Sequence, residues 1–327
     1  MIPPPPFNKG ERGDSMFLGS ERMLYYISKR MVHAIFVIFG VLTVVFVLVR
    51  LVGDPAPMLL PIGATQEEIA LVRKELGVDQ PIYTQYYRFI KKGIQGDFGL
   101  SIRYQQPAFT IVIERLPATL SLTGVAIVFM IIIALPLGIL AAIRKNSIID
   151  LLSSGVALFG QSVPTFWLGI VLILLFSVKW SVFPTSGYRG ISSLILPGIT
   201  LGAFSASLLT RMTRSSLLEI LNSNYVITAR AKGLSEWVVI LKHALRNAAI
   251  PIVTIIGLQI GPMLGGAIIT EQVFGFPGMA RLVVQAVLNR DFPVVQAFVV
   301  VVSALIVAIN LVIDILYCYL DPRITYE

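Results

Sequence analysis

Six stretches of this chain are long, apolar and free of Asp, Glu, Lys and Arg: residues 31–49, 116–143, 151–178, 190–210, 247–270 and 292–313. At ~1.5 Å of rise per residue, even the shortest nearly matches a hydrocarbon core of about 30 Å. Lipid offers backbone N–H and C=O groups no water, so each run has to satisfy them internally as helix. Only 13% of the 327 residues are charged and 56% are hydrophobic, whereas soluble domains carry roughly a quarter charged residues. The expected fold is an all-α integral membrane protein with six transmembrane helices.

Lys and Arg near the span ends set the orientation. Lys29, Arg30, Arg144, Lys145, Arg211, Arg214, Arg230, Lys232, Lys242 and Arg246 fall on one side, and the short loops of the other side offer Lys179, Arg189, Arg281 and Arg290. Both termini are therefore expected in the cytoplasm. The net charge of +8 then reports orientation and anionic headgroups rather than nucleic acid. Residues 1–22, rich in Pro, Gly and charge, read as a disordered tail. Residues 23–115 read as a first span plus an extracytoplasmic helical region, and 116–323 as a transmembrane core with a cytoplasmic loop at 221–250.

The long outer loop has local structure of its own. Thr65 and Glu68 form a capping box for a helix ending at Gly77, and Pro81 suits the first turn of a second helix ending at Gly93. Both are amphipathic, which suits lying on the outer membrane face or on a partner, but packing on the protein's own outer rim is the expected arrangement. Gly96–Ser101 reads as a tight turn. Within the spans, Pro136, Pro164 and Pro197 should kink or interrupt helices, and small residues crowd the fourth. Polar groups at this depth serve as hydrogen-bond glue or line a substrate path. The candidates for a path are Gln161, Thr165, Gln259 and Met263. A second outer loop, containing Phe274, Phe276, Pro277 and Gly278, turns tightly into a half-helix that either shapes an outer gate or lies plainly at the interface.

Much chemistry is excluded. The chain has no GxxxxGK[ST] loop for ATP phosphates and no GxSxG or HExxH motif. Cys318 is alone and there are two histidines, so no metal site is expected. Asp314 does not make a proton relay by itself. Energy for any transport has to come from elsewhere, which directs attention to Tyr225–Pro251. Leu234, Trp237, Val238, Leu241 and Leu245 form a helical stripe there, with basic residues opposite. Gly233 separates two short helices. Pattern alone serves equally a helix lying on the membrane surface and a helix docked on another protein.

The motifs Leu76-Gly-Val-Asp-Gln-Pro81, Gly96-Asp-Phe-Gly99 with Ser101, Arg115-Leu-Pro-Ala-Thr119, Val163-Pro-Thr-Phe-Trp167 and Phe183-Pro-Thr-Ser-Gly187 add a resemblance. So do Thr228-Ala-Arg-Ala-Lys-Gly-Leu234 with His243-Ala-Leu-Arg-Asn247, Glu271-x-Val-Phe274 with Pro277-Gly278, Arg290-Asp-Phe-Pro293 and Leu320-Asp-Pro-Arg323. Spread over residues 24–323, they resemble the binding-protein-dependent ABC importer permeases of the dipeptide, oligopeptide and nickel branch. The resemblance implies a type I importer permease that is not itself an enzyme. Its expected site is the cytoplasmic membrane, beside a second permease subunit, one or two ATPase subunits and an extracytoplasmic substrate-binding protein. It implies no cofactor in this chain, with ATP and Mg bound by the partner subunits. Residues 225–251 resemble the coupling loop that docks on the ATPase, which makes Ala229, Arg230, Ala231, Lys232, Gly233, Leu234, Ser235, Trp237 and Leu241 the expected coupling residues. The motif's leading Glu-Ala is Ile227-Thr228 here, a departure that resembles the peptide branch. Short peptides are the expected substrate, with glutathione, nickel chelates or another small solute as alternatives. A stand-alone channel and a membrane-bound scaffold compete with this reading.

Overall fold

The computed structural model describes residues 11–52, 60 and 63–320. Among these the structure is helical, with one isolated bridge between Leu100 and Pro107. Helix α1 (Glu11–Val52) carries the first span. It begins well before that span, so residues 11–22, expected to be disordered, are helical. After Pro6 no proline interrupts the run before Asp54, and extending an existing helix fixes only one residue per bond. Residues 1–10 and the terminal Asp-Pro-Arg motif lie outside the described residues, as does the side chain of Asp314.

The outer region follows the local signals. Helix α2 (Gln66–Leu76) is opened by the Thr65–Glu68 capping box and closed by Gly77 at φ 65°. Helix α3 (Ile82–Ile94) starts after Pro81. The Gly96–Ser101 turn has Gly96 and Gly99 at positive φ, and Gly99 N donates to Asp97 Oδ1 at 3.0 Å.

Helix α4 (Ala108–Ile143) is longer than the expected second span. The apolar run stops at Arg115, yet the helix continues outward, so the boundary expected at 115/116 falls inside it. Helices α5 (Ile148–Ser162) and α6 (Thr165–Leu172, continued as a π-helix over Ile173–Lys179) meet at 106°. The third span is thus a bent pair, broken where Val163-Pro164 removes a helical donor and forces extended backbone.

Helix α7 (Ser192–Leu221) is the central element. Its most apolar stretch is 72% buried, against 17% for the first and last spans. Small residues make that centrality possible. A Cβ on Gly202 would lie 2.7 Å from the Ala126 carbonyl of α4, and one on Gly138 would lie 2.8 Å from the Thr210 carbonyl of α7. Leu122, Ala126 and Met130 of α4 join Leu201, Leu209 and Leu217 of α7 in the main core.

Helix α8 (Asn224–Ala231) is followed by α9 (Glu236–Val238), a π-helix over Val239–Ala244 and α10 (Leu245–Val273). The last three run as one helix from Glu236 to Val273. The expected second short helix is therefore the inner end of the fifth span. Lys242 and Arg246 end the apolar run but not the helix, because both face outward while Val239, Ile240, Ala244 and Ala248 are buried. Helix α11 (Met279–Leu288) packs Met279, Leu282 and Ala286 into a second core, with Leu42, Ile111 and Val112 and with Val294 and Ala297 of α12 (Phe292–Leu320).

Candidate functional site

The candidate inner site is built around one turn. Helix α8 ends at Ala231, and Gly233, at φ 75°, reverses the chain toward α9. That left-handed conformation is open to glycine without steric cost. Arg230 Nε and Nη2 donate to Glu236 Oε1 and Oε2 at 2.8 and 3.2 Å, closing the turn with a two-bonded ion pair. Arg230, one of the expected coupling residues, is thus paired with Glu236 in this state.

The two faces of this hairpin differ sharply. Val226, Ala229, Val239, Ile240 and Ala244 are buried against the core, so Ala229 supports the surface from behind rather than contributing to it. Leu234, Trp237, Val238 and Leu241 are exposed, as are Tyr225 and Ile227. Trp237 is 67% exposed. Ala231, Lys232 and Ser235 are exposed beside them. Of the apolar stripe read from the sequence, Leu234, Trp237, Val238 and Leu241 face away from the protein, while Leu245 packs against the main core. Few soluble-facing surfaces keep a tryptophan among aliphatic neighbours without a function for it.

The path candidates separate. Gln161 Oε1 accepts from Arg211 Nη1 at 2.9 Å, and Gln259 Oε1 accepts from Ser205 Oγ at 3.0 Å. Both are half-buried, as is Thr165. Gln161, next to the α5–α6 break, is joined to α7 through Arg211. An apolar cleft of about 190 Å³ opens beside that break, lined by residues including Phe129, Phe159, Val163 and Ser207. Met263 is different. It is buried in the main core, where it packs rather than lines.

The outer loop is likewise packed. Phe274 and Phe276 are almost fully buried, and Phe276 meets Tyr188 edge-on at 5.5 Å. Beneath them lies an unforeseen arrangement. Glu271, fully buried, accepts from Thr119 Oγ1 at 2.7 Å and from the Arg281 N–H at 2.8 Å. Thr119 Oγ1 in turn accepts from the Met279 N–H at 2.9 Å. Together they satisfy free donors at the start of α11. Gly278 is in contact with the Glu271 carboxyl group, and a Cβ there would overlap it.

A second buried carboxylate, Asp291, accepts from Ser101 Oγ and from the Ile102 and Arg103 N–H groups at 3.2 and 3.3 Å. Each clamp joins two motifs that stand far apart in the sequence. On the inner side Arg214 forks onto Asp150 at 2.6 and 2.8 Å, tying α7 to α5. The motif residues pointed to all but this last pair; the pairings themselves left no signal. Among the described residues, no cluster of His, Cys, Asp and Glu could hold a metal.

Comparison with known proteins bears on this arrangement. Residues 134–326 match the family described as binding-protein-dependent transport system inner membrane component, and residues 23–123 match its N-terminal companion. The chain belongs to this family. It is a permease of an ABC importer, in the branch that holds peptide and glutathione permeases. The glutathione transport system permease protein GsiC of Escherichia coli K12 is 44% identical over 306 residues, covering 93% of this chain and all of that protein. The GsiC of Shigella dysenteriae serotype 1 matches to the same extent. Among solved structures, a chain of the inward-facing MetNI methionine ABC transporter superposes with a TM-score of 0.56 at 21% identity. It covers 64% of the permease and 96% of that chain, and it supports the fold of the transmembrane core. The permease is accordingly a multi-pass inner-membrane subunit, and its family implies ATPase and substrate-binding partners.

Proposed function

We propose that this permease passes short peptides, glutathione among them, across the inner membrane, and that its Tyr225–Leu241 hairpin is where an ATPase subunit drives it. The observation that carries the coupling reading is the exposed apolar face of Leu234, Trp237, Val238 and Leu241, held by a buried back face. Such a face, a rigid aromatic among aliphatics, suits a groove on a partner. Lys232 at its edge favours an acidic rim on that groove. In this reading both termini are cytoplasmic, and a second permease subunit completes the path. ATP and Mg bind to the ATPase subunits, hydrolysis takes place there, and this chain changes shape without doing chemistry. Gln161, Thr165 and Gln259 are the candidates to face the substrate. The full-length likeness to glutathione permeases supports a substrate of tripeptide size.

The test is purification of the tagged chain from its host in mild detergent, followed by mass spectrometry and by uptake of labelled glutathione and dipeptides in cells. Recovery of a second permease and P-loop ATPases is the expected result, with the ATPases alone lost on Trp237→Ala plus Leu241→Ala. Recovery of the chain alone as a homo-oligomer would overturn the coupling reading. Uptake unaffected by deleting the gene would overturn the substrate.

A further inference from the structure

Helix α3 has two unlike faces. The inner face packs on α1: Tyr86 Oη and Thr43 Oγ1 share a hydrogen bond of 2.8 Å, and Phe46 lies 5.3 Å from the Tyr86 ring and 5.6 Å from Phe89. Gly93 approaches Leu42 so closely that a Cβ would meet its Cδ2 at 3.2 Å. These partners are not at the end of the span. The first span runs over Arg30–Leu51, and Thr43 stands eight residues short of Leu51, or about 12 Å along the helix. Beyond the contact, Val44, Val47, Leu48 and Leu51 are all exposed, as a lipid-facing surface is. The outward face of α3 carries Tyr83, Tyr87 and Ile94, spaced by four and seven residues and 73%, 68% and 76% exposed.

From this juxtaposition we propose that α3 is immersed in the outer leaflet, with Tyr83, Tyr87 and Ile94 in contact with phospholipid. Helix α3 packs on the first span at a level where Val44, Val47 and Leu48 of that span are exposed, so the solvent that covers them reaches α3 as well. Water would leave large apolar side chains exposed at a cost that grows with their area. Tyrosine is the side chain that suits the boundary between acyl chains and headgroups, because its ring is apolar and its hydroxyl polar. Lys91, exposed and one turn from Tyr87, has the long stem that lets an ammonium reach lipid phosphates while its methylenes stay in the apolar layer. Helix α3 thereby widens the permease in the outer leaflet only and anchors the loop that follows it, 96–107, at a fixed depth.

Nitroxide labels at single cysteines (Tyr83→Cys, Tyr87→Cys, Ile94→Cys, and Glu67→Cys on α2 for reference) in a Cys318→Ser background test this. The full chain, purified with its accompanying subunits, is placed in nanodiscs of phosphatidylethanolamine and phosphatidylglycerol. Collision with dissolved oxygen is compared with collision with a water-soluble nickel chelate, after uptake in cells confirms that each variant folds. The expected result is oxygen-dominated collision at 83, 87 and 94 and chelate-dominated collision at 67. Chelate-dominated collision at all four positions would overturn the proposal, placing α3 in water. Suppression of both at 83, 87 and 94 would overturn it too, showing that protein covers the face.

Discussion

Replacing Gly278 by Ala adds one methyl group where the carboxyl group of Glu271 already sits. Gly278 has φ −92° and ψ 178°, a conformation open to any residue, so backbone strain contributes nothing. The whole cost comes from displacing Glu271 from its bonds with Thr119 and with the Arg281 N–H. Each buried polar group left without its partner costs roughly 1–3 kcal/mol, so Gly278→Ala should destabilise by about 2–5 kcal/mol. Glu271→Ala should cost a similar amount, since it orphans the same donors. Because both lose the same interaction, the costs must not add: in the Glu271→Ala background, Gly278→Ala should cost less than about 1 kcal/mol, a coupling well above the ~0.5 kcal/mol scatter of independent sites. SDS-induced unfolding of the purified permease in mixed micelles, followed by tryptophan fluorescence, measures all four corners of this cycle. Additive costs would refute the reasoning, because they would mean that Gly278 is small for some reason other than Glu271.

Two further perturbations probe the inner half. Gly138→Ala should push α4 off α7, since its Cβ would meet both Thr213 and the Thr210 carbonyl, and should cost about 1–3 kcal/mol as overpacking does. Gly124→Ala on the same helix meets nothing within 4 Å and should be neutral or stabilising by up to about 1 kcal/mol in the same SDS titration. Asp150→Ala strands Arg214, whose side chain is 31% exposed and so partly rescued by solvent. The expected loss is about 1–3 kcal/mol, with Arg214→Lys falling short of wild type because a lysine cannot reproduce the two-bonded fork.

What the sequence makes legible here is local. Thr65 and Glu68 are three residues apart, so their capping box can be read directly, and Pro164 announces a break whose existence, though not its 106° angle, follows from ring geometry. Apolar runs locate the lipid but not the ends of the helices. Arg115 and Arg246 end the runs, while α4 and the Glu236–Val273 helix continue past them. The two buried clamps are illegible for another reason. Thr119 and Glu271 are 152 residues apart, and Ser101 and Asp291 are 190. Each side chain is individually conspicuous in its motif, yet only packing shows which accepts from which. Met263 belongs with them: it lies in the main core, and a methionine serves a core as readily as a path.

The contacts at the two ends of the Glu236–Val273 helix differ in strength, and that difference bears on how the proposed coupling works. At the inner end, Arg230 and Glu236 are exposed by 42% and 60%. Such surface pairs contribute about 0–1 kcal/mol, so Arg230 can exchange Glu236 for a partner's carboxylate at little cost. At the outer end, Glu271 is fully buried and locked to α4 and α11. A displacement applied at Trp237 therefore meets a yielding turn on one side and an unbroken helix of 38 residues on the other. That helix ends in the clamp that fixes the outer loop. The π-helical turn at Val239–Ala244 is the point where this lever is least regular. Lys242→Gly and Arg246→Gly together, both at exposed positions, should soften it there, at a cost of about 2 kcal/mol from helix propensity, while leaving the docking face intact. The ATPase should still copurify, and substrate taken up per ATP hydrolysed should fall. Unchanged coupling in that variant would show that force reaches the outer rim by another route, through α7 rather than along the fifth span.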